Sequence, residues 1–232
     1  MKILISSPRH GSTYLNAYFS EFNLKENPNS IFPTPTGNYE FLLNSNHTNK
    51  WWPLDINQKI KYIESCRENG SELLYKIHAF HLFYEDWILD WFYNFYEDAE
   101  IYVLKRKDLW RAFLSILVHH QKGRWLWHND GTRDEELISK CSKLKFKHDK
   151  NVMNYFFHHY ECLNKIKGNT LFLEDITHEK ITSLLKINID EPYKKWNVDY
   201  EEFFESKELS IIRREFRIIS EQVHTGTWNM PK

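Results

Sequence analysis

Apolar positions along the chain follow two alternating patterns. Four short runs, KILIS (2–6), ELLYKIHAF (72–80), EIYVLKR (100–106) and NTLFLEDI (169–176), are nearly unbroken in apolar character. That is the form of strands buried on both faces. Between them, apolar residues recur at helical spacing. Leu15, Tyr18, Phe19 and Phe22 predict a helix over 12–24, and the same pattern predicts helices over 55–68, 84–96, 108–120, 147–166, 178–186 and 207–223. Asn69-Gly70 and Gly168 stand where helices should stop. NPNSIFPTPTGN (27–38), KGRWLWHNDGTRDEE (122–136) and the tail HTGTWNMPK have no period and read as loops. Buried strands alternating with helices predict an α/β chain, a three-layer α/β/α arrangement around a central, mainly parallel sheet. No repeat or linker interrupts the pattern, so a single domain over 1–232 is expected.

Composition narrows the class. A formal charge of −1 supplies no global basic field, which argues against a general nucleic-acid binder. Cys66, Cys141 and Cys162 are far apart with no CxxC pair, so reduced thiols and a cytoplasmic location are expected. Twelve histidines include no HExxH, and the neighbours His119-His120 and His158-His159 diverge on a helix, so no metal is expected. No signal peptide or transmembrane stretch is visible, because the first strand begins at residue 2, and no membrane partner is expected.

The chemistry starts after the first strand, in ISSPRHGSTYL. A strand, a Gly loop and a helix start make an anion seat, since free N–H groups and the helix dipole favour negative charge there. Gly11 allows close backbone approach, Ser12 and Thr13 add hydroxyl donors, and Arg9 adds a forked cation. The nucleotide-kinase loop GxxxxGK[ST] is not present: the first Gly and the Lys before Ser-Thr are both missing. A second seat follows the third strand. Lys107, Arg111 and Ser115 are spaced i, i+4, i+8, which would line one side of a helix at a strand's C-terminal end. Open α/β sheets bind ligands at that edge.

Pro8-Arg9-His10-Gly11-Ser12-Thr13-Tyr14 resembles the 5′-phosphosulfate loop of the sulfotransferase family. That loop runs Pro-Lys/Arg-Ser-Gly-Ser/Thr-Thr and then an aromatic or aliphatic residue, and only His10 departs from it. The resemblance implies a P-loop NTPase-like sulfotransferase fold and the sulfuryl donor 3′-phosphoadenosine 5′-phosphosulfate (PAPS). It implies that Arg9 and the amides of residues 10 to 14 hold the 5′-phosphosulfate, with Tyr14 near the adenine. Lys107 and Ser115 have the spacing of the family's 3′-phosphate motif, with Lys where Arg is usual. Arg106 and Lys107 are therefore alternative phosphate ligands. TLFLEDI resembles the later family strand that ends Tyr-Glu-Asp-Leu. TGTWN resembles a Gly-x-Trp loop without its Arg-Lys-Gly half, and Arg213, Arg214 and Arg217 read as surface charge.

Sulfuryl transfer needs a cation against charge growing on the leaving phosphate, and a base for the acceptor's proton. Arg9 is the first cation candidate and Lys76 the second. YKIHAFHL resembles the family's Lys-Thr-His-Leu segment, with Ile77 in place of Thr. This implies His78 as base and Lys76 as a sulfuryl contact, and an imidazole titrates in the right range. Glu40 is the rival, because carbohydrate and tyrosylprotein sulfotransferases often take a Glu base from about this place. His81 is a spare. The acceptor would be a small molecule, a carbohydrate or a protein side chain. The substrate loops would be 27–54 and 121–146, with Trp51, Trp52, Trp125 and Trp127. The leading expectation is a PAPS-dependent sulfotransferase. The alternatives are a P-loop-like nucleotide kinase and a degenerate PAPS- or phospho-ligand-binding protein.

Overall fold

The computed structural model describes residues 2–7, 14, 15, 18, 64, 74–83, 86–122, 136, 139, 146–186, 188, 190 and 198–229. All four apolar runs contribute strands: β1 Lys2–Ser6, β2 Leu74–His78, β3 Glu100–Lys105 and β4 Asn169–Phe172. They form one parallel sheet in the order β2-β1-β3-β4. The chain steps from β1 outward to β2, then crosses back to β3 on the other side of β1. The order therefore reverses at the β1–β3 junction, and the crevice beyond the carboxyl ends there is where such sheets bind ligands.

Five helices follow the predicted spacing among the described residues: α1 Asp86–Phe95, α2 Leu109–Lys122, α3 Lys150–Lys165, α4 His178–Leu185 and α5 Ser206–His224. Tyr14, Leu15 and Tyr18 are helical within the predicted 12–24 segment, and Glu64 within 55–68. The remaining residues of both segments lie outside the described ones. None of the described helices is long and apolar enough to cross a membrane.

Boundaries move for local reasons. α3 begins at Lys150 because Asp149 caps it, its Oδ1 accepting from the Asn151 N–H at 2.9 Å and the Val152 N–H at 3.3 Å. Thr177 caps α4 in the same way, and Lys186 ends that helix in the left-handed region at φ 56°. Gly168 has a role beyond stopping a helix. A Cβ there would lie 2.8 Å from the Ile101 carbonyl oxygen, so only glycine lets this turn pass β3.

Two of the four apolar runs, the second and the fourth, give strands shorter than expected. β2 stops at His78 and tightens into a 3₁₀ turn, Ala79–Phe83; β4 stops at Phe172 and does the same over Leu173–Asp175. Glu174 and Asp175 cannot continue a sheet covered on both faces without burying charge. The turn swings both carboxylates to its carboxyl edge.

Side-chain alternation then builds the layers. Ile3, Ile5, Ile77 and Val103 face α1 and α3, packing on Ile88, Phe92, Cys162 and Leu163. Leu4, Tyr102 and Leu104 face the other way, onto Tyr14, Leu15, Tyr18 and the α4 residues Ile181 and Leu185. A separate core joins α2, α3 and α5 through rings: Phe216 lies 5.3 Å from Phe113 and 5.0 Å from Phe157 between centroids. Trp228, from the tail expected to be loop, is buried in this core.

Candidate functional site

Two clusters of polar residues stand at the carboxyl edge of the sheet. The first lies where β1 and β2 end. Ser6 is in register with His78. Ser6, Ser7, His78, His81 and His159 are all at 3 % exposure or less. The Ser7 hydroxyl donates to the His159 carbonyl at 2.9 Å, which ties the exit of β1 to α3. The Ser6 Oγ is buried and has no hydrogen-bond partner among the described residues. The His78 ring meets the His81 ring edge-on at 5.9 Å. Phe80 lies between His81, met edge-on at 4.0 Å, and His159, tilted at 4.1 Å. Three buried imidazoles thus gather around the half-buried Phe80 ring.

The second cluster lies where β3 and β4 end. The Arg106 Nε donates to Glu174 Oε1 at 2.7 Å, and the Lys107 backbone N–H donates to Glu174 Oε2 at 3.0 Å. A weaker contact runs from the Asp108 N–H to Oε1 at 3.5 Å. Lys107 Nζ pairs with Asp175 Oδ1 at 2.6 Å and lies 5.6 Å over the Phe172 ring. Burial works to raise the Glu174 carboxyl. The N–H of Lys107 and the Arg106 guanidinium outweigh it and hold the group below its ordinary value. A carboxylate is here gripped by one guanidinium and two successive backbone amides, the donor set that also suits a phosphate.

The predicted row of Lys107, Arg111 and Ser115 is not formed. α2 starts only at Leu109, after Asp108, whose Oδ1 accepts from the Arg111 N–H at 2.9 Å. Lys107 stands before the helix and turns to Asp175, whereas the Arg111 guanidinium donates to the Val198 carbonyl at 3.1 Å. Ser115 is buried in α2. Of the two alternative phosphate ligands, Arg106 has the enclosed geometry: its side chain is 14 % exposed against 54 % for Lys107.

Tyr14, expected near an adenine, is packed on the sheet face beside Leu4 and Tyr18. Its hydroxyl lies 3.3 Å from that of Tyr18, which lies 3.0 Å from His178 Nδ1. Lys76 is a β2 residue in register with Leu4. Arg9, His10, Gly11, Ser12, Thr13 and Glu40 lie outside the described residues, as do the side chain of Lys76 and all four loop tryptophans. Arg213 pairs with Glu201 and lies over the Trp110 ring at 5.4 Å, and Arg217 pairs with Glu221. Among the described residues no group of three or more His, Cys, Asp or Glu is placed to hold a metal.

Sequence reasoning missed the partners. Glu174 and Asp175 face Arg106 and Lys107; Ser6 is in register with His78, and His159 reaches the same end of the sheet through Ser7 and Phe80. The first pairing had a signal in the chain: a basic run just past one strand and an acidic pair at the end of another. The second had none, since Ser7 and His159 are 152 residues apart. No protein-family model, curated protein or solved structure matches the chain.

Proposed function

We propose that the protein is a sulfotransferase that moves a sulfuryl group from PAPS to a hydroxyl or amine of an acceptor. One observation carries the reading. β1 and β3 are parallel neighbours at the switch point, so the two stretches that resemble the family's nucleotide motifs leave the same edge side by side. The grip of Arg106 and the 107–108 amides on a carboxylate is also a fit for a phosphate of the donor. PAPS supplies an activated sulfuryl group on a phosphate leaving group.

The chain's own residues then have distinct tasks. Arg106, with the amides of Lys107 and Asp108, holds the 3′-phosphate, and Lys107 adds charge nearby. Ser115 takes the family's serine position. Arg9 and the amides of residues 10 to 14 hold the 5′-phosphosulfate. His78 accepts the acceptor's proton as the acceptor–sulfur bond forms and the sulfur–phosphate bond breaks, and Glu40 is the rival for that task. Lys76 and Arg9 offset charge on the leaving oxygen. Burial of His78 beside other imidazoles keeps bulk water from the proton transfer.

Titration with 3′-phosphoadenosine 5′-phosphate (PAP) and with ATP tests the nucleotide. PAP is expected to bind at least about tenfold more tightly, because the seat at Arg106 has no counterpart in ATP. Equal affinity would favour the nucleotide-kinase reading. Incubation with labelled PAPS and a panel of phenols, sugars and peptides tests turnover. A second reading, a phospho-ligand binder without turnover, draws on the carboxylates that engage Arg106 and Lys107. It prevails if PAPS is bound and never consumed.

A further inference from the structure

We propose that Glu174 is an internal anion that closes the seat at Arg106, so that a phosphate-bearing ligand and Glu174 compete for the same donors. The proposal rests on the sulfotransferase reading for the identity of the ligand, not for the competition itself. Both Glu174 oxygens are used: Oε1 by the Arg106 Nε at 2.7 Å, Oε2 by the Lys107 N–H at 3.0 Å. Asp175 repeats the arrangement one residue on, holding Lys107 Nζ at 2.6 Å. Two adjacent carboxylates therefore cover two adjacent cations at the edge where a phosphate would dock.

Glu174 is not needed there for architecture. Asp108 already caps α2 through the Arg111 N–H. β3 and β4 are already joined by a ladder from Tyr102↔Asn169 to Lys105↔Phe172. Glu174 is also free to leave. It sits in a 3₁₀ turn, Leu173–Asp175, with no buried residue, while Ile176 just beyond is buried and anchors the chain. Rotating the Glu174 side chain away breaks charged hydrogen bonds and leaves Leu173, which packs half-buried against the core, in place. A ligand must then bind the open form, and its apparent affinity falls by the fraction of molecules that are open.

Calorimetric titration of the full chain with PAP and with 5′-AMP, in wild type, E174Q and E174A, tests the competition. Both variants are expected to bind PAP about threefold more tightly than wild type, with 5′-AMP affinity unchanged because it lacks the 3′-phosphate. Inorganic phosphate, followed by thermal shift, should show the same preference for the variants. If E174Q binds PAP and inorganic phosphate no more tightly than wild type, the competition is wrong. If no form binds PAP but inorganic phosphate still favours E174Q, the competition holds and the sulfotransferase reading fails. Should the Glu174 variants not fold, D175N uncovers Lys107 instead. It is expected to gain about threefold for phosphate, and no gain overturns the proposal.

Discussion

The two ends of the sheet's carboxyl edge use opposite electrostatics. Where β1 and β2 end, the polar groups are serine hydroxyls and imidazoles, almost fully buried, with the three rings gathered around Phe80. Where β3 and β4 end, they are charged, paired with one another and in contact with water. The difference matters for chemistry. A buried imidazole can exchange a proton with a bound group away from bulk water. A wet ion pair interacts weakly, is screened by salt and exchanges partners readily. On the proposed reading, one end handles a proton and the other trades one anion for another.

The largest expected effect lies at the buried end. His78→Ala should lower turnover by about 10² to 10⁴ while leaving PAP affinity within about twofold, because the proposed phosphate seats are elsewhere on the edge. Steady-state kinetics paired with PAP titration reads both numbers, and a melting curve shows whether the fold is retained. If His78→Ala keeps its turnover and Glu40→Ala loses it, the base is Glu40, and the buried end has a packing role only.

Next is the charged end. Arg106→Ala removes the enclosed guanidinium and should weaken PAP binding by roughly tenfold to a hundredfold, the range of a charged hydrogen bond. Ser115→Ala should weaken it less, by about threefold to tenfold. Lys107→Ala, at an exposed pair, should change it by about threefold or less. Raising salt should erode wild-type affinity, and less steeply in Arg106→Ala, where one cation is gone. A loss at Lys107 larger than that at Arg106 would reverse the assignment.

The fold was largely legible because its signals are local. Buried strands and amphipathic helices carry their period in consecutive residues, so β1, β3 and α5 fall close to the expected ranges. The ends of β2 and β4 were not legible. LYKIHAF and LFLEDI continue an apolar pattern, but tertiary placement of His78 and Glu174 turns both into 3₁₀ segments. The site divides the same way. Arg106, Lys107 and His78 were visible as residue types just past strands. Their neighbours Glu174, Asp175 and Ser6 depend on strand order, and the pattern of one segment does not encode which other segment lies beside it. The supposed row of Lys107, Arg111 and Ser115 failed for a local reason that was readable. Asp108 is a helix N-cap, and a cap residue puts Lys107 outside the helix.

The smallest expected effect is a pH dependence that separates the two ends. Glu174 has its carboxyl held below the ordinary 4.5 in the folded chain. A depressed folded-state value means that stabilisation is present above 4.5 and is lost as pH falls through the folded value. Glu174→Gln never has that contribution. Wild type should therefore be more stable than E174Q at neutral pH, by about half a kcal/mol, since the pair is partly exposed and water screens it. The gap should close well below pH 4.5, where both side chains are neutral. Urea midpoints for the two proteins at pH 7 and near pH 3 give the gap directly, and titrations elsewhere in the molecule cancel in the difference. An unchanged gap at low pH would mean that shape, not charge, holds Glu174 in place. The carboxylate would then be a fixed strut between β3 and β4, and the charged end would lose the exchangeability that distinguishes it from the buried one.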